Sequence, residues 1–330
     1  MQATANLTNE HLVAVRELLA NGKNIEAIKL LQNDAGVGLA EAKHIVDGIL
    51  KQDVAELFQR NEKLRGHIAE MASTVISATA LNLTFQTNDG PVHALSNVNL
   101  NIGQGEFVSF IGPSGCGKTT FLRVIADLEQ PTGGTISVND MSPEQARLDR
   151  AYGYVFQAAG LYPWRTIEKN IRLPLEIMGL PKAEMAERIQ RVLELVDLAQ
   201  FGKKFPWQLS GGMQQRASIA RALAFDADLL LMDEPFGALD EIVRDHLNEQ
   251  LLDLWARTNK TICFVTHSIP EAVYLSTKIV VMSPRPGRII DVIESPLPAE
   301  RPLEIRDSPE FLAVASRVRD GLRAGHSYDD

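Results

Sequence analysis

A chain of 330 residues, with 45% hydrophobic and 23% charged residues, is long enough to bury a large core and predicts about two globular domains. Its formal net charge of −9 argues against a broad basic face that binds long nucleic acid. No apolar run approaches a length of about 18 residues, which a membrane-spanning helix needs, and the N-terminus lacks a signal-peptide core. Cys116 and Cys263 form neither a metal-spaced cluster nor a disulfide framework, which fits a reducing cytoplasm. A role at a membrane would therefore need another subunit to hold the chain there.

Residues 1–72 are predicted to form a small helical module of unknown role, because apolar residues recur at helical spacing and glycines separate the runs. The predicted apolar faces comprise Leu12, Val15 and Leu19, then Ile25, Ile28 and Leu31, then Leu39, Ala42, Val46 and Ile49. Residues 24–43 resemble the two-helix hairpin in the C-terminal domain of the ribosomal stalk protein. A general packing or interaction module accounts for the same pattern.

A short linker at 72–74 leads into sequence typical of antiparallel strands. Leu81, Leu83 and Phe85 alternate with other residues, residues 88–91 predict a turn, and a second alternating run covers 98–102. A β-hairpin is therefore expected at the start of the second domain.

Residues 112–120 fit the phosphate-loop pattern G-x-x-x-x-G-K-[ST]. An apolar run at 107–111 predicts a buried strand before the loop, and helical spacing at 121–126 predicts a helix after it. In this context the backbone amides and the helix N-terminus bind polyphosphate, Lys118 reaches the β- and γ-phosphates, and the Thr119 hydroxyl holds Mg²⁺. The predicted loop residues are Gly112, Pro113, Ser114, Gly115, Cys116, Gly117, Lys118, Thr119 and Thr120.

Further apolar runs at 229–232, 262–265 and 279–282 alternate with helical stretches, and this pattern predicts a mostly parallel sheet. Asp233 and Glu234 follow the first of these runs. In phosphoryl transfer the first carboxylate can hold Mg²⁺, usually through water, and the second can orient or deprotonate the attacking water. A strand that ends in two acids is common, so the prediction depends on the phosphate loop upstream.

The stretch from Leu209 to Arg216 places a serine and two glycines before a predicted helix, which makes a second site where backbone amides face phosphate. It resembles the signature motif of ATP-binding-cassette (ABC) ATPases, and the resemblance covers about residues 75–325. It implies an α/β P-loop domain with a mixed sheet core, an antiparallel β subdomain, a helical subdomain at about 158–215 and a C-terminal amphipathic helix at about 308–323.

The resemblance also implies ATP and Mg²⁺ as cofactors and assigns roles by position. The implied catalytic residues are Glu234, His267 and Gln157; the implied metal-binding residues are Thr119, Gln157 and Asp233; beyond the loop, the implied nucleotide-binding residues are Phe85, Ser210, Gly211, Gly212 and Asp240. Taken singly, His267, Gln157 and Phe85 also fit structural positions. Their joint order and spacing favours the functional interpretation.

Two stretches, residues 161–166 and 282–288, are similar to those of importers of the nitrate, sulfonate and taurine class. This similarity implies a second copy of the chain, membrane permease subunits that dock near Gln157–Trp164, and indirectly a solute-binding protein. It also implies a peripheral location at the cytoplasmic face of the membrane, with no nucleic acid partner.

Two alternatives remain open at this point. One is a non-transport ABC ATPase that acts on ribosomes or DNA, and the other is a regulatory protein that holds ATP without turnover. The sequence does not name the transported solute. A loop that wraps phosphate also predicts that the Cys116 thiol is accessible to thiol reagents without nucleotide and shielded with it. Cys263 lies in an apolar strand and should react slowly in both states.

Overall fold

The computed structural model describes residues 15, 24–33, 42, 46, 74–237, 239–299 and 301–326. The chain forms two compact units, Met1–Ala72 and Ser73–Asp330.

In the N-terminal unit, helix α1 spans Asn24–Asn33. The side chains of Val15, Ala27, Leu31, Ala42 and Val46 are buried, so apolar residues at helical spacing form the core of this unit. The remainder of the predicted apolar faces and most of the stalk-like hairpin lie outside the described residues, and that resemblance stays a prediction.

The second unit begins with an antiparallel sheet of three strands in the order β2-β1-β4. Strand β1 (Thr74–Thr87) and strand β2 (Gly90–Gly103) form the predicted hairpin, in which Phe85 pairs with Val92. Strand β4 (Gly133–Val138) was not predicted, because its apolar residues are few and two glycines begin it.

The main sheet has six strands in the order β5-β6-β7-β3-β8-β9. The strands are β3 (Phe107–Ile111), β5 (Tyr152–Val155), β6 (Leu229–Asp233), β7 (Thr261–Thr266), β8 (Lys278–Met282) and β9 (Ile289–Glu294). All neighbours are parallel except β8 and β9, which are antiparallel. The four predicted apolar runs are therefore the four central strands, and sequence patterning missed only the two edge strands of this sheet, which are short or half-buried.

Within the described residues the second unit contains eight helices: α2 (Lys118–Ile125), α3 (Pro143–Leu148), α4 (Ile167–Met178), α5 (Lys182–Leu195), α6 (Gly211–Leu223), α7 (Glu241–Thr258), α8 (Ile269–Leu275) and α9 (Pro309–His326). Strand β3 has both faces covered. Phe107 and Ile111 belong to a core shared with α4–α9, whereas Val108 and Phe110 belong to a core shared with α2 and the antiparallel sheet. Burial on both faces explains why this strand is a continuous apolar run.

Since the two units are compact separately, we predict that a chain beginning at Ser73 folds and binds ATP without residues 1–72. Circular dichroism and equilibrium ATP binding on the full-length and shortened chains provide the test. Insoluble shortened protein would show that residues 1–72 are needed to fold the second unit.

Candidate functional site

The phosphate loop connects the end of β3 to the start of α2 at the carboxyl edge of the main sheet. Gly117 has a φ of 106° and caps the helix. A Cβ atom at this position would lie 2.8 Å from Cδ2 of Leu95 and 2.9 Å from the carbonyl oxygen of Ala94. Only glycine therefore satisfies both the backbone conformation and the close approach of β2.

Lys118, the first residue of α2, is buried within the loop. Its Nζ donates hydrogen bonds to the carbonyl oxygens of Gly112 at 2.8 Å and Pro113 at 3.0 Å. A buried ammonium group requires such partners. It also gives the loop a fixed positive charge for an anion.

Asp233 ends β6, and its Oδ1 accepts a hydrogen bond of 2.7 Å from Oγ1 of Thr119. Burial raises the pKa of the Asp233 carboxyl, and the hydrogen bond from Thr119 opposes this rise. A hydroxyl and a carboxylate are oxygen ligands of the kind that Mg²⁺ prefers. Among the described residues no group of three His, Cys, Asp or Glu side chains is placed to hold a metal ion.

Glu234 lies beside this pair and connects it to two further side chains. Its Oε1 lies 2.5 Å from Nε2 of His267, and its Oε2 accepts a hydrogen bond of 3.4 Å from Nε2 of Gln157. Its backbone has a φ of 46°, which is uncommon outside glycine, and its N–H donates to the carbonyl oxygen of Val265 at 3.1 Å. The neighbouring strand β7 thus holds the backbone of Glu234 in place.

A cavity of about 290 Å³ joins the phosphate loop to this carboxylate. Its lining consists of Ser114, Gly115, Gly117, Lys118, Thr119, Thr120, Glu234, His267 and Arg285. Backbone amides, two cations and a general base candidate therefore face one volume, which suits a phosphate ester under attack by water.

Glu271 was not predicted, yet it supports the turn that carries His267. It is buried on α8 and accepts a hydrogen bond from Oγ1 of Thr266, whose oxygen also accepts from N–H of Ser268 at 3.0 Å. Burial raises the pKa of the Glu271 carboxyl. Its signal in the sequence is the S-x-x-E spacing from Ser268, the helix cap whose Oγ accepts from N–H of Glu271.

Comparison with known proteins identifies this arrangement. The family model described as "ABC transporter" matches residues 95–237. The aliphatic sulfonates import ATP-binding protein SsuB of Bacillus cereus is 41% identical over 76% of this chain and 96% of its own length. The nitrate import ATP-binding protein NrtD of Synechocystis is 40% identical over 75% of this chain and 95% of its own.

A solved dimeric ATP-binding cassette in a post-hydrolysis state, bound to ADP and Pi, superposes with a TM-score of 0.58. It is 33% identical over 66% of this chain and 98% of its own. The chain belongs to the ABC transporter family. The predicted fold, ATP binding and ATPase class are confirmed for this cassette, whereas the individual residue roles stay predictions.

Several predicted nucleotide-binding residues of the cassette lie outside the phosphate cavity. Phe85 is half-buried on β1. Ser210 caps α6, where its Oγ accepts from N–H of Met213 at 3.3 Å, and Asp240 caps α7. At Gly212 a Cβ would lie 2.9 Å from Cγ1 of Val243, so α6 and α7 pack closely there. Among the described residues that line the phosphate cavity, none belongs to the signature stretch Ser210–Gly212.

The prediction of an accessible Cys116 is wrong. Its side chain is fully buried, with Sγ 3.8 Å from Nζ of Lys118. Burial raises the pKa of the Cys116 thiol, and the nearby Lys118 ammonium only partly opposes this. The side chain lies in the same core as Met282, and a Cβ atom on Gly112 would lie 2.8 Å from its Sγ.

We therefore predict that Cys116 and Cys263 of the native cassette both react slowly with a thiol reagent, with or without Mg-ATP, because the thiolate is the reactive form and both thiols are buried. Labelling followed by peptide mass spectrometry measures each site, and denatured protein is the control. Fast labelling of native Cys116 would contradict the structure of the loop.

Proposed function

We propose that this cassette powers the import of a small solute by hydrolysing Mg-ATP, working as a pair of copies docked on permease subunits at the cytoplasmic face of a membrane. The observation that carries the proposal is the contact of Glu234 with His267 and Gln157 beside the Thr119–Asp233 pair. Among the described residues no helix is long and apolar enough to cross a bilayer.

The first task of the site is to hold the phosphates. The loop at 112–120 presents backbone N–H groups at the N-terminus of α2, and Lys118 can turn from the Gly112 and Pro113 carbonyls to phosphate oxygens. The exchange keeps the ammonium group hydrogen-bonded throughout.

The donor set at Thr119 and Asp233 fits Mg²⁺, since the two oxygens lie 2.7 Å apart and Thr119 lines the cavity. When bound, the ion neutralises charge on the β- and γ-phosphates. Asp233 would act on the ion through water, and Gln157 would reach the same region from the end of β5.

Glu234 is proposed as the general base. Its carboxylate can accept the proton of the attacking water, while His267 holds the carboxylate and the γ-phosphate in position through one imidazole ring. The buried Thr266–Glu271 contact behind His267 restricts where that ring can move. Gln157 would respond to the attack of water on the γ-phosphate, because its side-chain amide also contacts Glu234.

A second copy would complete each site. Ser210 is exposed at the N-terminus of α6 and lies apart from the phosphate cavity of its own chain, so Ser210–Gly212 of one copy can close over Gly112–Thr119 of the other. Ile242, two residues after Asp240, is 83% exposed and would be available for contact with the other copy.

The proposed permease contact is an apolar groove of about 550 Å³. Its lining includes Tyr154, Phe156, Tyr162, Pro174 and Ile177. Trp164 is 71% exposed, and its ring lies 5.1 Å from that of the groove residue Tyr162, tilted by 50°. Closure of two copies around ATP would move the permease helices docked in this groove, and opening after hydrolysis would return them.

The relatives named for sulfonate and nitrate import support a small oxyanion as the solute.

The decisive variant is Glu234→Gln. We expect it to bind Mg-ATP normally but to lower the steady-state ATPase rate by about 100-fold or more, the size of a general-base contribution. The trapped ATP should favour the paired state in size-exclusion chromatography. Lys118→Ala is the matched comparison, because it should weaken nucleotide binding itself. Wild-type turnover by Glu234→Gln would remove Glu234 from the mechanism.

A second prediction tests the groove. Trp164→Ala should lower recovery of the cassette with its permease subunits and lower ATP-driven uptake, while the ATPase rate of the isolated cassette stays within about twofold of wild type. Leu312→Ala is the control, since Leu312 is 57% exposed on α9 and lines neither the groove nor the phosphate cavity. Equal effects of the two substitutions would argue against docking at the groove.

A further inference from the structure

The stretch Ser283–Arg288 follows β8, and strand pairing brings it beside the phosphate loop. Ile111 at the end of β3 pairs in parallel with Val281 of β8. Because the carboxyl ends of parallel neighbours meet at one edge, the segments that follow these strands are adjacent. The loop after β3 binds phosphate, so the stretch after β8 lies against a phosphate-binding loop.

The backbone of this stretch is held firmly against its neighbours. N–H of Gly287 donates to the carbonyl oxygen of Ala94 at 2.9 Å, and N–H of Ser96 donates to that of Gly287 at 3.0 Å. A Cβ at Gly287 would lie 2.0 Å from the carbonyl oxygen of Cys116, so only glycine allows this approach to the phosphate loop. Ser283 closes the turn, since its Oγ accepts from N–H of Arg288 at 3.0 Å.

Arg285 projects from this fixed backbone over Gly115 of the phosphate loop. Its Nε donates a long hydrogen bond of 3.4 Å to the carbonyl oxygen of Gly115. A Cβ built on Gly115 would lie 3.4 Å from its Nη2. The side chain is exposed, and no carboxylate of the described residues pairs with it. The guanidinium therefore keeps free donors at the edge of the loop.

The charged side chains that line the phosphate cavity make the position of Arg285 important for binding phosphate. The cavity lining contains one lysine, Lys118, and one arginine, Arg285, together with the carboxylate residue Glu234. A polyphosphate with several negative charges gains from a second cation, and a planar guanidinium can donate two parallel hydrogen bonds to phosphate oxygens.

We propose that Arg285 binds the polyphosphate of the nucleotide in its own chain, as a second cation beside Lys118. The proposal rests on the proposed ATP site and adds a residue that is neither in the phosphate loop nor in the signature motif. Binding moves the guanidinium from the long contact with Gly115 to phosphate oxygens, with no change in the backbone of residues 283–288.

The test measures the equilibrium dissociation constants of full-length protein for Mg-ADP and for a non-hydrolysable ATP analogue with Mg²⁺. Arg285→Ala should raise both constants about tenfold, a typical effect of losing one exposed charge-assisted contact. Arg285→Lys should recover most of the affinity because it keeps the charge. Arg285→Gln should not, although its amide can still donate to Gly115. The difference between Arg285 and Arg285→Ala should shrink as salt rises.

Arg288→Ala is the matched control. Arg288 is an exposed arginine three residues away that lines the neighbouring cavity of about 490 Å³ but not the phosphate cavity, so its removal should leave both constants within about twofold of wild type. Arg285→Ala with wild-type affinity, or Arg285→Gln as tight as Arg285→Lys, would overturn the proposal. So would an equal loss in Arg288→Ala, because it would indicate a general effect of surface charge.

The unfolding midpoint distinguishes a binding role of Arg285 from a role in loop folding. The unfolding midpoint without nucleotide should be the same for wild type and Arg285→Ala, and a clear drop in the variant would assign the effect to loop structure and overturn the proposal. Wild-type protein that binds neither nucleotide would overturn the proposed function itself. Tight wild-type binding with an unaffected Arg285→Ala would overturn only the role of Arg285.

Discussion

Parallel pairing of β6, β7, β3 and β8 is the constraint on which the site depends. In this register Asp233 pairs with Val265, Ile111 with Thr266, and Ile111 also with Val281. Four strands from distant parts of the sequence therefore end at one edge, and each end carries a different group: the carboxylates, the histidine, the phosphate loop and the arginine-bearing stretch. A shift of one residue in any pair would turn every side chain of that strand to the opposite face and dismantle the edge.

The buried strands also determine how charge is tolerated at this edge. Lys118, Asp233 and Glu271 are all nearly or fully buried, and each is stabilised by a local hydrogen bond: the loop carbonyls, Thr119 and Thr266 respectively. Glu234 differs from these residues. Its backbone is in the left-handed region, and its carboxylate contacts His267, which follows β7, and Gln157, which follows β5. Such conformations cost about 1–3 kcal/mol and persist where the surrounding structure determines them, which is typical of functional positions.

Much of this arrangement could be predicted from the sequence. The apolar runs at 107–111, 229–232, 262–265 and 279–282 give the central strands because burial on both faces removes polar alternation. The phosphate loop follows from its glycines and lysine. The edge strand β9 could not be predicted in the same way, since Asp291 and Glu294 interrupt its apolar pattern.

Side-chain burial and contacts across the sheet edge were harder to predict from the sequence. Cys116 is buried in the core beside Gly112 and Met282, and no local sequence pattern indicates this burial. The approach of Gly287 to Cys116 depends on the order of strands in the sheet. The sequence therefore showed that residues 283–288 resemble those of a family, but it could not place them beside the phosphate cavity. Glu271 had a local signal in the helix cap at Ser268, whereas its contact with Thr266 required the fold.

The central claim is that ATP is hydrolysed between the phosphate loop of one copy and Ser210–Gly212 of another. The most direct measurement is the ATPase rate of an equimolar mixture of Ser210→Arg and Lys118→Ala proteins, each inactive alone. In a mixed pair one composite site carries neither substitution, so we expect activity to reappear on mixing and to rise with total protein concentration. A mixture that stays as inactive as its components, although the two proteins are shown to associate, would contradict hydrolysis at a site shared between copies.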